Sequence, residues 1–203
     1  MRLSILCALL LLAMGSSVRA DNAHPYPAAE TEQQGEFDVR VVLDSAGQRG
    51  RASAMVRIHA RREIVWSLIK SCAESVKLVP ALVACNVLET APDQSWQIIR
   101  EVLDYSWFVP KLTYEIRATY VFPARISMER ISGDLSVLKG SWNLQSDGDY
   151  TIARYEVELA PGFWVPQWLV RGALRRDLPK LLSALRARAE LVQRQGPASQ
   201  GSG

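Results

Sequence analysis

The chain has 203 residues, 48% of them apolar and 22% charged, with a formal net charge of +3. That balance belongs to one ordinary globular domain. It excludes a disordered chain, a collagen-like repeat and a disulfide-dense miniprotein, and it does not call for nucleic acid as a partner.

Residues 1–20 read as a signal peptide. Arg2 precedes an apolar run, Leu3–Met14, and Val18-Arg19-Ala20 offers a signal-peptidase site before Asp21. The run is too short for a stable membrane anchor. Cleavage would remove Arg2 and Arg19 and leave a nearly neutral, exported protein, periplasmic in a Gram-negative bacterium and otherwise secreted. No later run reaches about 18 apolar residues, so a soluble mature protein is expected. Residues 21–35 are polar, with Pro25, Pro27, Gln33 and Gln34, and read as a disordered leader.

The folded domain is expected over residues 36–195. Phe37–Leu43 and Ser53–Ala60 alternate around a Gly47/Gly50 turn and predict two strands. In Arg61–Cys72, Ile64, Val65, Leu68 and Ile69 recur at helical spacing. Val76–Val83, around Pro80, predicts a second, shorter helix. The period then changes to two. Strands are predicted at Ala84–Thr90, Trp96–Leu103, Leu112–Phe122, Arg125–Ile131, Leu135–Gln145 and Tyr150–Leu159, separated by Pro- and Gly/Asp-bearing turns. Connections this short make consecutive strands antiparallel neighbours. A long helix, Pro166–Gln193, closes the chain. Leu174, Leu178, Leu181 and Leu185 form its stripe, and Pro179 predicts a kink or break. Residues 196–203 read as a disordered tail. A sheet with one apolar face needs a cover, and the terminal helix is the element long enough to supply it. The space between them is either filled by side chains or left as a pocket.

Cys72 and Cys85 remain after cleavage. In an oxidising compartment they form a natural disulfide pair; the alternative is two buried thiols. The two histidines, His24 and His59, lie near neither cysteine, so neither a cysteine nucleophile nor a zinc site is expected, and no cofactor is implied. His59 reads as a surface or capping residue. The sequence contains no Gly-x-Ser-x-Gly elbow, P-loop or Gly-x-Gly-x-x-Gly, and no catalytic residue is nominated. Among the acids near aromatic runs, Glu101, Asp104 and Glu115, the last alternates away from Tyr114 onto a solvated face.

Alternation also nominates inward faces. They are Leu112, Tyr114, Ile116, Ala118 and Tyr120 on one strand, Ala153, Tyr155, Val157 and Leu159 on another, and Gly140, Trp142 and Leu144 on a third. They should look toward Leu174 and Leu178. The same pattern suits a plain core, above all at Trp142. Tyr114, Tyr120 and Tyr155 stand out because a buried hydroxyl needs a partner and can orient a ligand's polar end.

Four phrases, spread from Arg51 to Ala189, resemble the START-like superfamily, also called SRPBCC or Bet v 1-like. They are Val56–Ile69, Pro80 leading to Asn86–Glu89, Ser132–Leu144 with Gly140 and Trp142, and Thr151–Leu159 followed by proline and the long helix. More narrowly the chain is similar to the polyketide-cyclase/coenzyme-Q-binding branch. It departs from it at Cys72, where many relatives carry aspartate, and in its extra N-terminal strand. The resemblance implies an α+β helix-grip fold, a curved antiparallel sheet wrapped around a long C-terminal helix, with two short helices after the first strands. It also implies binding of a hydrophobic small molecule or lipid between sheet and helix, as quinone binders and lipid carriers do; some members are aromatases or cyclases.

Two aromatic segments are near-duplicates, Trp107-Phe108-Val109-Pro110 and Phe163-Trp164-Val165-Pro166. Counting strand reversals places both at one end of the sheet, the end that the resemblance makes the cavity entrance. Trp107, Phe108, Phe163, Trp164 and Trp168 then form either a gate that also touches a membrane or a plug of loops packed on each other. The closing helix is basic. Arg171, Arg175 and Arg176 lie near that entrance and could attract anionic headgroups, although such runs usually form a solvated face. The reading is non-catalytic carriage of a lipid or quinone-like molecule. The alternatives are an aromatase/cyclase acting on a polyketide or aryl intermediate, and a protein-interaction module with a filled cavity. Oligomeric state is not legible.

Overall fold

A computed structural model describes residues 30–34, 37–105 and 110–196. Among these residues nine strands form one antiparallel sheet. They are β1 (Glu30–Gln34), β2 (Phe37–Leu43), β3 (Gly50–Ile58), β4 (Leu82–Thr90), β5 (Trp96–Leu103), β6 (Leu112–Val121), β7 (Arg125–Gly133), β8 (Leu135–Asp147) and β9 (Tyr150–Pro161). The order across the sheet is β1-β2-β3-β9-β8-β7-β6-β5-β4. Each strand from β4 to β8 lies beside its successor, as short turns require, and β3 joins the two ends of the chain by pairing with β9.

β3 shows why the sheet has two faces. Its residues alternate buried and exposed without a break, and Ala52, Ala54, Val56 and Ile58 all point inward. Alanines at 52, 54 and 153 let the closing helix approach closely. That helix begins with α3 (Gln167–Gly172), passes through a π segment (Ala173–Asp177) and ends as α4 (Leu178–Gln195), 29 residues in all. It buries Val170, Leu174, Leu178, Leu181, Leu182 and Leu185 against the sheet. Leu182 and Leu185 are fully enclosed, and each contributes about 2 kcal/mol by leaving water. This is the expected helix-grip fold.

Several boundaries differ from the sequence reading. Glu30–Gln34, assigned to the disordered leader, is strand β1, paired along its length with β2. The exposed row of hydrogen-bonding groups on β2 attracts even a polar segment, which periodicity does not reveal. The rest of the leader, the signal peptide and the tail beyond Gly196 lie outside the described residues. The second helix runs not over Val76–Val83 but over Cys72–Leu78 (α2), directly after α1 (Arg62–Lys70). Ser71 starts it: its hydroxyl accepts from the Glu74 backbone N–H. The region around Pro80 then enters β4. At Pro179 the helix does not break. A proline lacks the N–H for a normal helical bond, and the π segment just upstream absorbs that loss.

Cys72 and Cys85 form a disulfide, with Cα atoms 5.2 Å apart, tying α2 to β4. Glu74 ties α2 to the closing helix through a bidentate ion pair with Arg188, at 2.9 and 3.0 Å. The Arg188 bonds hold the Glu74 carboxyl below its ordinary range. His59 is exposed and stacks on Tyr150 at 4.7 Å. Glu115 lies on the outer face, paired with Arg100 at 2.8 Å.

Candidate functional site

β6 presents Leu112, Tyr114, Ile116, Ala118 and Tyr120 inward, all buried. Directly opposite, the inward row of β5 is Gln97, Ile99, Glu101 and Leu103. Two of these are polar, and each meets a tyrosine of β6. The Tyr120 hydroxyl donates to Gln97 Oε1 and the Tyr114 hydroxyl to Glu101 Oε2, both at 2.7 Å. Burial pushes the Glu101 carboxyl above its ordinary range, against the Tyr114 bond that lowers it. The Tyr114 phenol is pushed well up by burial and by the neighbouring Glu101.

Between this part of the sheet and the closing helix lies a cavity of about 160 Å³. Leu112, Tyr114, Tyr155 and Val157 line it from the sheet, and Leu174 and Leu178 from the helix. Val79, Pro80, Tyr105, Leu135, Pro161 and Val165 also line it. A second depression, about 630 Å³, crosses the outer face of the sheet among Arg51, Arg117, Arg125, Lys139 and Glu156. It lies on the side of the sheet away from the helix and its lining is strongly charged, so it is a poor home for an apolar guest.

Three nominated residues do not reach the cavity. Ile116 is core. Tyr120 points toward α1 and meets Trp66 edge-on at 5.9 Å, with Lys70 Nζ 4.7 Å from its ring. Trp142 lies behind Tyr155, its ring stacked on it at 4.4 Å. Strand alternation supplies the face but not the position along the strand. The cavity occupies only one end of a face whose other end is filled by α1.

That end is built by successive backbone bonds through Asp134. The Asp134 N–H donates to Thr113 O, and the Gly162 N–H to Asp134 O, so the starts of β6 and β8 and the exit of β9 meet there. Gln48, in the β2–β3 turn, clamps the approach to α3. Its Nε2 donates to Val165 O at 2.8 Å, and its Oε1 accepts from the Val165 N–H at 3.2 Å. Val165 is thereby turned inward while Trp164, beside it, stands 76% exposed; Phe163 and Trp168 are also exposed. Trp107 and Phe108 lie outside the described residues. The basic trio is less available than its sequence suggests: Arg171 and Arg175 are half-buried and engaged in contacts, and Arg176 is paired with Asp177.

Asp177 went unnoticed in the sequence. It is buried in the apolar stripe and lines the cavity. Its Oδ1 accepts from Arg176 Nε at 3.1 Å. Its Oδ2 is buried with no hydrogen-bond partner among the described residues. The available signal was its spacing, four residues before Leu181 and three after Leu174, on the inward helix face.

The sequence profile of the family described as Polyketide cyclase / dehydrase and lipid transport matches residues 58–186. The chain belongs to this family. No curated protein matches the sequence itself. Solved structures share the fold. A STAR-related lipid transfer protein from Xanthomonas axonopodis superposes with a TM-score of 0.67 at 17% identity, over 82% of this chain and 99% of that one. The Zhui aromatase/cyclase from Streptomyces sp. R1128 gives 0.59 at 16%, over 74% and 99%. Human STARD10 gives 0.66 at 9%, over 85% and 77%. The family's description covers both cyclases and lipid transport, and at such identities the structural likeness speaks for the fold alone.

Proposed function

We propose that the protein binds and carries a hydrophobic small molecule, a lipid or quinone-like compound, between sheet and closing helix without altering it. The observation that carries this reading is the cavity beneath α3 and the π segment, walled mainly by Leu, Val, Pro and Tyr side chains. Its present volume suits a single ring: an apolar cavity of about 150 Å³ takes up benzene. A longer guest needs α3 to lift, and the π segment and Pro179 offer the joint. Exposed Phe163, Trp164 and Trp168, around the start of α3, favour contact with a membrane surface during loading. The signal-like first twenty residues and the Cys72–Cys85 bridge together support an exported, oxidising location. Native mass spectrometry of protein purified from its own compartment should find a bound apolar molecule. Trp164→Ala should keep the fold and lower liposome binding severalfold; a protein that always purifies empty and takes up no apolar probe would reject the carrier.

One observation favours a second reading, a cyclase or aromatase. A carboxyl raised by burial, Glu101, holds the hydroxyl of Tyr114, whose ring lines the cavity. Under that reading an aryl polyketide analogue incubated with the protein is released lighter by one water, and Glu101→Gln abolishes the change. Release of the analogue at unchanged mass favours the carrier.

A further inference from the structure

Asp177 is the one cavity residue whose chemistry conflicts with its surroundings. It is 8% exposed, at the end of the π segment, on a helix face otherwise made of leucine and valine. A π turn changes the angle at which the following side chains leave the helix, and such turns gather at functional sites. Here the turn coincides with the placement of a carboxylate over an apolar cavity. One oxygen is held by Arg176; the other is buried beside the cavity wall, with no donor among the described residues. Leaving a buried acceptor unmatched costs about 1–3 kcal/mol, and a charged one more.

Resting on the reading of the cavity as a ligand site, we infer that Asp177 Oδ2 is the polar anchor for the ligand, and that the ligand is an amphipathic molecule ending in a hydroxyl group, an alcohol or phenol. Three features select this class. A carboxylate paired with a guanidinium offers only acceptor sites, so the guest must donate. Arg176 already balances the carboxylate, so a neutral donor leaves the site neutral, whereas an ammonium adds a net charge to an apolar enclosure. A fatty acid or phosphate head would set anion against anion. A quinone, which offers only acceptors, fits poorly; its reduced, hydroxyl-bearing form fits. Tyr105, also in the lining, is kept protonated: burial and the Asp177 charge push its phenol up to about 12. It can therefore act only as a neutral neighbour to the bound hydroxyl.

The test uses three para-substituted rings that differ at one group: 4-propylphenol, 4-propyltoluene and 4-propylbenzoate, titrated into the full chain at pH 7 by NMR. Hydroxyl and methyl are alike in size, and hydrophobicity alone favours the toluene. The wild type should bind the phenol about tenfold tighter than the toluene, and the benzoate weakest. Asp177→Leu, which continues the leucine stripe, should reverse the phenol–toluene order. Asp177→Asn, an isosteric variant that keeps the fold if the leucine does not, should shrink the phenol's advantage to about twofold. Equal wild-type affinity for phenol and toluene, or an unchanged preference in the variants, overturns the anchor while leaving an apolar site intact. If none of the three binds, the ligand-site reading falls and the anchor with it.

Discussion

Glu101 and Tyr114 face each other across β5 and β6, and their contact has a measurable consequence for stability. Burial outweighs the tyrosine's hydrogen bond, so the Glu101 carboxyl binds its proton more tightly in the folded chain than in the unfolded one. A raised folded value means that its stabilising contribution is complete below the unfolded value, near 4.5, and is lost as pH rises through the folded value. Glu101→Gln keeps an acceptor for Tyr114 and removes the charge. Its melting temperature should exceed that of the wild type at pH 7, and the gap should close as pH falls toward 4.5. A gap that widens on acidification would show the carboxylate to be stabilised in the fold. Asp177 is the same kind of residue, a polar group set into an apolar row, but only one of its two oxygens has a partner, Arg176.

At the scale of elements, α2 is the short piece that must be tied down. Seven residues of helix have little stability of their own. The disulfide fixes its first turn to β4, and Glu74 joins it to α4 through Arg188. The carboxyl of Glu74 is lowered, so this pair stabilises above the unfolded value of 4.5 and its contribution is lost as pH falls through the folded value. Arg188→Ala should lower stability at pH 7, read as a drop in urea midpoint, and the difference should vanish in acid. Reduction of Cys72–Cys85 should lower it by about 3 kcal/mol, a loop-closure effect that does not depend on the carboxyl. Because α2 leads to Val79 and Pro80 in the cavity lining, loosening it should also speed exchange of a bound probe.

Over the whole molecule, the sheet grips the closing helix firmly at one end and loosely at the other. Leu182, Leu185 and Ala189 are fully buried where α1 packs on α4; α3 borders the cavity. Opening should therefore involve α3 and its entry loop, while α4 stays in place. Gln48 is the lock, since a single side chain satisfies both backbone groups of Val165. Gln48→Ala should remove both bonds at a cost of about 1–2 kcal/mol and raise the rates of probe entry and release together, seen in stopped-flow fluorescence. Unaltered exchange rates would place the moving joint elsewhere.

The sequence by itself determined β2 to β9, the antiparallel meander, the closing helix and the inward faces of β6, β8 and β9, because all of these follow from the period of apolar residues and the chemistry of short turns. It made Cys72 and Cys85 a natural pair with two buried thiols as the alternative, and the fold, which brings their Cα atoms to 5.2 Å, decided for the bridge. Only the tertiary structure decided where along those faces a space remains. Tyr114 and Tyr120 share one strand and one face, yet one borders the cavity and the other packs beneath α1. The lone strand β1, the clamp at Gln48 and the unmatched oxygen of Asp177 were likewise invisible, because each depends on what lies across the fold. Periodicity reports the direction of a side chain; it carries no information about what that side chain meets.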